Sequence, residues 1–186
     1  MSRQRATLVF LDETGLMLLP LLKKTWAPRG QTPVLHFNAK HHRRVSVIGA
    51  ITVSPRLRKA DCHVTVYRDT SITQHEVIAF LRRLLRQIRG PLVLLWDRLN
   101  AHRGALVTEF LKRHPRLETE FFPTYSPDLN PTEGLWAHSK WHALSNYCPT
   151  DTAELEGVAQ TLFETYRDQQ ALLRSFIKHT PLPLRI

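Results

Sequence analysis

The chain has 186 residues, of which 42% are hydrophobic and 23% charged, a composition typical of one folded domain with a sizeable core. Lysine and arginine number 26 against 16 acidic residues, and the resulting formal charge of +10 suits a polyanionic partner such as DNA. No apolar run approaches the roughly 18 residues that cross a bilayer, and the two cysteines are far apart, which argues against a membrane protein and a disulfide-rich one. By default we expect a cytoplasmic, nucleoid-associated protein that binds no membrane.

The first part of the chain predicts strands. Residues 6–11 (ATLVFL) form a short apolar run that ends at Asp12, and residues 14–26 are apolar enough to form a further strand. Residues 44–53 (RVSVIGAITV) alternate well between apolar and polar positions, and residues 62–67 (CHVTVY) follow as another strand. Together these runs predict an antiparallel meander.

The second part alternates helices with strands. From Thr73 apolar residues recur at helical spacing and arginines occupy the other side, which predicts an amphipathic helix whose basic face is solvated or, alternatively, follows DNA. Residues 91–96 (PLVLLW) predict a buried strand that ends at Asp97, and residues 117–122 predict a fifth strand after a short helix. Two further helices would close the chain as a C-terminal layer.

The segment 123–140 (PTYSPDLNPTEGLWAHSK) places an acid at the start of a helix. An asparagine that can cap a helix and a proline that suits a first turn precede Glu133. Because parallel strands end at one edge of a sheet, Asp12 and Asp97 would lie close together, and Glu133 could join them. Taken alone, each acid is better explained as a turn or helix-start residue.

Three motifs in this order resemble a known family. Asp12 in FLDETG, Asp97 in LLWDRLNAH and Glu133 in YSPDLNPTEGLW are similar to the catalytic triad of the DDE-superfamily endonuclease domain found in mariner-type insertion-sequence transposases. The gap of 35 residues between Asp97 and Glu133 matches the family, and residues 26–33 (WAPRGQTP) are also similar to it. Arg98 departs from the pattern, since the family commonly has Asn directly after the second Asp.

The resemblance implies an α/β fold of the RNase H-like type, with residues 1–186 as a single catalytic domain. Its five-stranded mixed sheet would contain three antiparallel strands followed by two parallel ones, flanked by helices and a C-terminal helical layer. The family's N-terminal helix-turn-helix region, which recognises transposon ends, would be absent. A separately encoded N-terminal DNA-binding half is therefore an expected partner.

The resemblance also implies DNA transposition by metal-dependent strand cleavage and strand transfer. Asp12 would bridge two Mg²⁺ (or Mn²⁺) ions while Asp97 and Glu133 would each hold one, since these cations prefer hard oxygen ligands. Without metal the carboxylates should repel one another and their pKa values should rise. Pairing of two transposon ends implies a homodimer. The alternatives are a stand-alone RNase H-like DNA nuclease and an inactive DNA-binding remnant of an insertion element.

Basic residues near the expected site are candidate contacts to DNA phosphates. They are Lys40, Arg43, Arg44, Arg98, His102, Arg103 and Lys140. Each is of a type that is abundant in this chain, so an ordinary surface role is the competing interpretation for every one of them.

Other acids and histidines are weaker candidates. Glu13 should point away from the site, because successive strand residues face opposite sides of a sheet. Asp128 is a turn residue by composition and the substitute if Glu133 fails. His138 and His142 have a spacing that can hold zinc, but the glutamate of a HExxH motif is missing.

Overall fold

A computed structural model describes residues 6–37, 43–57 and 59–184. The strands found in these ranges are β1 (Thr7–Met17), β2 (Arg44–Val53), β3 (Ala60–Arg68), β4 (Leu92–Trp96) and β5 (Leu117–Phe121). They form one sheet in the spatial order β3-β2-β1-β4-β5. Pairing is antiparallel from β3 through β2 to β1 and parallel from β1 through β4 to β5. The mixed sheet predicted from the sequence is confirmed.

Helices cover both faces of this sheet. Those in the described ranges are α1 (Gln74–Gln87), α2 (Asn100–Arg103), α3 (Ala105–Lys112), α4 (Pro131–His138), α5 (Thr152–Tyr166) and α6 (Gln170–Lys178). One apolar cluster packs α1 and α3 on the first face, and a second packs α4, α5 and α6 on the other. None of the helices in these ranges has the length and apolar character needed to cross a bilayer.

Helix α1 forms where the sequence predicts it. The Thr73 hydroxyl accepts a hydrogen bond from the His75 N–H, and the Glu76 carboxylate accepts one from the Thr73 N–H at 2.9 Å, which completes a capping box. The apolar stripe of Val77 and its helical neighbours is buried, while most arginines of the helix remain exposed. The predicted amphipathic helix is confirmed.

The first strand is longer than predicted. We expected it to end at Asp12 and residues 14–26 to form a further strand, but β1 continues to Met17 because β2 pairs with it as far as Arg44. Past that point β2 offers no further partner, and residues 18–37 contain a single isolated bridge, from Leu21 to Ser145. The strand predicted at residues 14–26 is therefore wrong.

Strand β4 ends earlier than its neighbour β1, and this difference places Asp12 and Asp97 at one edge of the sheet. The parallel register joins Thr7 to Leu92 and ends at Phe10 with Leu95. Asp97 directly follows β4, and Asp12 lies on the part of β1 that extends past the last parallel pair. The two strands that carry these aspartates are neighbours, as the sequence predicts.

Candidate active site

Glu133 is positioned by the start of helix α4. The Asn130 side chain accepts a hydrogen bond from the Thr132 N–H at 3.1 Å, and Pro131 occupies the first turn, as predicted. The buried Thr132 hydroxyl donates to the carbonyl oxygen of Phe10 in β1 at 2.6 Å. These bonds hold the first turn of α4, with Glu133, against the strand that carries Asp12.

The three acids of the sequence motif line one cleft. Asp12, Asp97 and Glu133 border a cavity of about 360 Å³ together with Arg98 and residues of the loop 122–127. They are close enough to interact electrostatically, since the charge of Glu133 acts on Asp12 and that of Asp97 acts on Glu133. Residues far apart in the chain thus share one site.

Asp12 is the most strongly perturbed of the three acids. Burial, followed by repulsion from Glu133 and Glu13, raises the pKa of Asp12 to about 7. A hydrogen bond of 3.0 Å from the Trp136 indole Nε1–H to Oδ2 favours the ionised form and partly offsets this shift. In the absence of a cation, about half of the Asp12 carboxyl groups are therefore protonated near pH 7.

Trp136 reaches Asp12 because the neighbouring strand carries a glycine at the crossing point. Gly49 in β2 is the register partner of Asp12. A Cβ atom built on Gly49 would lie 2.6 Å from the indole Cη2 of Trp136 and 3.2 Å from Cγ2 of Val64. The missing side chain lets the indole lie across the sheet.

We expect Gly49→Ala to lower the free energy of unfolding by about 1–3 kcal/mol, because the new methyl group must displace a packed indole. Urea denaturation measures this change. Gly15→Ala is the matched control in the neighbouring strand β1, since its Cβ would meet the Cδ of Arg44 at 3.8 Å, an ordinary contact. Equal losses in both variants would contradict the steric role of Gly49.

Asp97 behaves in the opposite way to Asp12. Partial burial opposes ionisation, but hydrogen bonds from the His102 ring at 2.8 Å and the Leu99 N–H at 3.0 Å outweigh it, so the pKa of Asp97 is lowered. The Leu99 N–H donates to Oδ1, and the His102 Nδ1 forms an ion pair with the same oxygen while it also hydrogen-bonds the Asp97 carbonyl oxygen at 3.2 Å. The expectation that all three pKa values rise is therefore wrong for Asp97, because a histidine supplies local compensation.

His102 is enclosed between two carboxylates. Its Nδ1 lies 2.8 Å from Oδ1 of Asp97, its Nε2 lies 2.8 Å from Oε1 of Glu13, and its ring stacks on Trp96 at a centroid distance of 4.5 Å. Burial favours the neutral ring, but the two carboxylates prevail and raise the pKa of His102 to about 10. The side chain is 0% exposed, so its predicted contact with DNA phosphates is wrong.

Glu133 and Lys140 form the remaining charged part of the site. Burial raises the pKa of Glu133, the Lys140 charge opposes the rise and the Asp97 charge adds to it. Lys140 donates a hydrogen bond to the Thr14 hydroxyl, and burial lowers its pKa against the pull of Glu133 and Asp12. Lys140 follows α4 in a short π-helical turn, Ser139–Ala143, and it borders a neighbouring cavity with Gly15 and Leu16, not the cleft of the three acids.

Two of the predicted DNA contacts lie on the exposed surface near Asp97. Arg98 borders the cleft and stacks its guanidinium over the Phe121 ring at 5.4 Å. Arg103 is exposed in α2. Both guanidinium groups are accessible to a polyanion that approaches the acids.

The basic residues before β2 are more distant. Arg43 is exposed and forms an ion pair with Asp69, and Arg44 is exposed at the first position of β2. Since β1 rises about 3.3 Å per residue, the end of the β1–β2 pair lies roughly 17 Å beyond Asp12. Lys40 lies outside the described residues.

The weaker candidates remain apart from the cleft. Asp128 is exposed in the 3₁₀ turn Pro127–Leu129 and does not line the cavity. His138 and His142 stack at 5.2 Å, and the Nδ1 of His138 lies 3.0 Å from the Tyr166 hydroxyl. Glu13 lies on the opposite face of β1 from Asp12, since it contacts His102 on the α1 and α3 side.

The cleft has carboxylate oxygens that could bind a divalent cation, but its acids are not arranged as a complete set of metal ligands. Within residues 6–37, 43–57 and 59–184, no three His, Cys, Asp or Glu side chains are arranged to hold a metal ion together. The three acids nevertheless share one cleft, and the pKa of Asp12 is raised by burial and then by repulsion from Glu133 and Glu13, both of which a bound cation would offset. Carboxylate oxygens are the ligands that Mg²⁺ and Mn²⁺ prefer.

The sequence did not reveal three residues that support these acids. His102 forms ion pairs with Glu13 and Asp97, and Trp136 donates a hydrogen bond to Asp12. For Trp136 a signal was present, because a residue three positions after Glu133 lies on nearly the same side of the helix. Glu13 and His102 are 89 positions apart, and no local pattern joins them.

Comparison with known proteins agrees with this geometry. A family model described as DDE superfamily endonuclease matches residues 7–156. No curated protein matches the sequence. Among solved structures, the chain is similar to the mariner Mos1 paired-end complex with Mg (17% identity, TM-score 0.66, 96% of this chain and 54% of that chain). It is also similar to the Mos1 strand transfer complex, with 19% identity and a TM-score of 0.63 over 95% of this chain and 52% of that chain. The catalytic domain of Mos1 mariner transposase matches with 16% identity and a TM-score of 0.61 over 96% of this chain and 78% of that chain.

At these identities the structural matches establish the fold, which is the RNase H-like fold of the Mos1 catalytic domain. The chain spans about half the length of the transposase chains in the two Mos1 complexes. The matched family model covers all three acids of the cleft, so the resemblance inferred from their motifs is confirmed. The chain belongs to the DDE superfamily of endonucleases.

Proposed function

We propose that this endonuclease domain is the catalytic domain of a transposase, which cuts a DNA strand and joins the resulting 3′ end to target DNA. The observation that carries the proposal is the meeting of Asp12, Asp97 and Glu133 in one cleft bordered by Arg98. The family match supports nuclease chemistry, and the similarity to transposase complexes supports the extension to strand transfer.

Asp12, Asp97 and Glu133 would hold two Mg²⁺ or Mn²⁺ ions. When bound, such ions stabilise the charge that develops on the entering and leaving oxygens of an in-line displacement at phosphorus. The chain's own residues prepare the site: Trp136 holds one oxygen of Asp12, and His102 keeps Asp97 ionised. Glu133 is brought to the cleft by the first turn of α4.

DNA is the proposed partner, and the protein would act at the nucleoid. The exposed guanidinium groups of Arg98 and Arg103 and the ammonium group of Lys140 would contact phosphates beside the scissile bond. Arg43 and Arg44 would contact DNA farther from it. Recognition of transposon ends is assigned to a DNA-binding region outside this domain, such as a separately encoded half.

A homodimer is proposed, because the two ends of a transposon must be brought together. Support comes from residues 18–37, which present apolar side chains to solvent, including Leu22 at 69%, Trp26 at 99% and Val34 at 72% exposure. An apolar surface of this kind is typical of an interaction site. One of the similar Mos1 structures is itself a paired-end complex.

The test is cleavage and strand transfer of a labelled DNA duplex in Mg²⁺ or Mn²⁺, with wild type compared with Asp97→Asn. We expect the variant to lose at least about a thousandfold in rate, or about 4 kcal/mol of transition-state stabilisation. Circular dichroism checks that its fold is unchanged. Metal-independent activity, or equal activity in both proteins, would contradict the proposed site.

The products separate the proposal from its alternatives. Cleaved and joined strands support a transposase, whereas cleavage without joining indicates a stand-alone nuclease. Binding of DNA without cleavage, even when an N-terminal DNA-binding partner is supplied, indicates an inactive remnant of an insertion element.

A further inference from the structure

A buried chain of side chains connects Asp97 to the strand that carries Asp12. His102 lies between Asp97 and Glu13, with both nitrogen–oxygen distances at 2.8 Å. Glu13 directly follows Asp12 in β1, and its side chain is 12% exposed. The His102 ring is fixed in its plane by stacking on Trp96, with an interplanar angle of 15°. The two catalytic strands are thus connected through side chains as well as through backbone pairing.

We propose that Glu13 and His102 are positioning residues for Asp97. They fix the direction of the Asp97 carboxylate relative to β1, and therefore relative to Asp12. The inference rests on the proposed function, in which Asp97 is a metal ligand.

The need for such support follows from where Asp97 lies. Its side chain is 46% exposed and comes after the last residue of β4, so packing alone leaves its rotation unrestricted. The Leu99 N–H donates to Oδ1, and the Nδ1 of His102 lies 2.8 Å from that oxygen and 3.2 Å from the Asp97 carbonyl oxygen, so both groups restrain the same side of Asp97. Loss of a partner that orients a metal ligand in this way typically weakens metal affinity about 10- to 100-fold.

The arrangement is not explained by stability alone. Glu13 Oε2 is buried and has no hydrogen-bond partner among residues 6–37, 43–57 and 59–184, although a buried polar atom of this kind is costly. Replacing a buried ionic group with apolar residues of similar volume is often neutral or stabilising. The presence of a costly buried carboxylate beside His102 therefore favours a role in the site.

The test uses the double variant Glu13→Leu/His102→Phe, which removes the buried ionic pair together, keeps the net charge and leaves only the half-exposed Asp97 carboxylate without its histidine. Isothermal titration calorimetry with Mn²⁺ alone measures metal affinity, and thermal unfolding measures stability. We expect about a 10- to 100-fold weaker Mn²⁺ affinity with a melting temperature equal to that of wild type or higher. Unchanged Mn²⁺ affinity would overturn the proposal.

His63→Phe is the matched control for loss of a buried histidine. His63 is 7% exposed, interacts with Thr52 and Gln87, and does not line the cleft. We expect this variant to be less stable than wild type and to bind Mn²⁺ with unchanged affinity. A similar loss of Mn²⁺ affinity in His63→Phe would show that general destabilisation, and not positioning, lowers metal binding.

A metal-free measurement keeps this inference separate from the proposed function. Three-bond NMR couplings of Asp97 report its χ1 angle and should indicate one rotamer in wild type and averaged rotamers in the double variant. A single rotamer in both proteins overturns the positioning role. Failure of the wild type to bind Mn²⁺ counts against the proposed metal site, while the couplings still decide whether Glu13 and His102 position Asp97.

Discussion

Without metal at pH 8, we expect the free energy of unfolding of Asp12→Asn to exceed that of the wild type by up to about 4 kcal/mol. The pKa of Asp12 is raised from 3.8 to about 7 in the folded protein, mainly by burial and then by the charges of Glu133 and Glu13. Asparagine has nearly the same shape, carries no charge and retains an oxygen that can accept the Trp136 hydrogen bond. The variant therefore loses the cost of ionisation and retains the packing.

The sign of the pH dependence follows from proton binding. Between pH 4 and 7 the folded wild type holds a proton on Asp12 that the unfolded chain has released, so its stability falls as pH rises through this window. The stability difference between Asp12→Asn and wild type should therefore be near zero at pH 4, grow up to about pH 7 and remain constant above it.

Urea denaturation in EDTA at pH 4 and pH 8 measures this difference. Asp168→Asn is the control, because Asp168 is exposed and does not line the cleft. It should show no comparable difference from wild type at either pH. Equal stability of Asp12→Asn and wild type at pH 8 would mean that Asp12 is not the electrostatically unfavourable acid of the site.

Added Mn²⁺ should narrow this difference in stability. A ligand that binds only the folded state stabilises it, by about 2.7 kcal/mol at a hundred times its dissociation constant. Wild type should gain this stabilisation, whereas Asp12→Asn should gain little because it lacks a charged ligand. An acid that destabilises the metal-free fold and is needed once metal binds is an example of stability given up for function.

Local signals in the sequence were sufficient for much of the fold. The start of α1 near Thr73 was predicted from helical spacing, and the cap of α4 by Asn130 was predicted from its neighbouring residues. The end of β1 was not, because the extension of that strand depends on pairing with β2 as far as Arg44. The register that sets Gly49 opposite Asp12 has no local signal either.

In the site, too, some features could be predicted from the sequence and others depend on contacts between distant residues. The three acids were found because their motifs and spacing resemble a family, and parallel strands explain why two of them meet. The role of His102 was predicted incorrectly, because a histidine close to Asp97 in sequence suits a surface contact equally well. His102 contacts Glu13 across 89 positions, and the hydrogen bond between Asp12 and Trp136 joins residues 124 positions apart. Side-chain bonds across such separations require the folded structure.

Glu133→Gln and Asp128→Asn form the most direct test of the third acid, because both acids lie in the segment that leads into α4. We expect Glu133→Gln to reduce metal-dependent DNA cleavage by at least about a thousandfold, since a neutral amide is a poor substitute for a carboxylate on a hard cation. Asp128→Asn should remain within a few-fold of wild type, because Asp128 is exposed and lies outside the cleft.

Stability and activity should separate in these two variants. Loss of an acid from the first turn of a helix costs about 0.3–1 kcal/mol through the helix dipole. In Glu133→Gln this loss is opposed by relief of the repulsion between Glu133 and Asp12, so its thermal unfolding should stay close to that of wild type. Cleavage that survives in Glu133→Gln and fails in Asp128→Asn would identify Asp128 as the third acid. The third catalytic acid would then lie in the loop before α4 and not in the first turn of that helix.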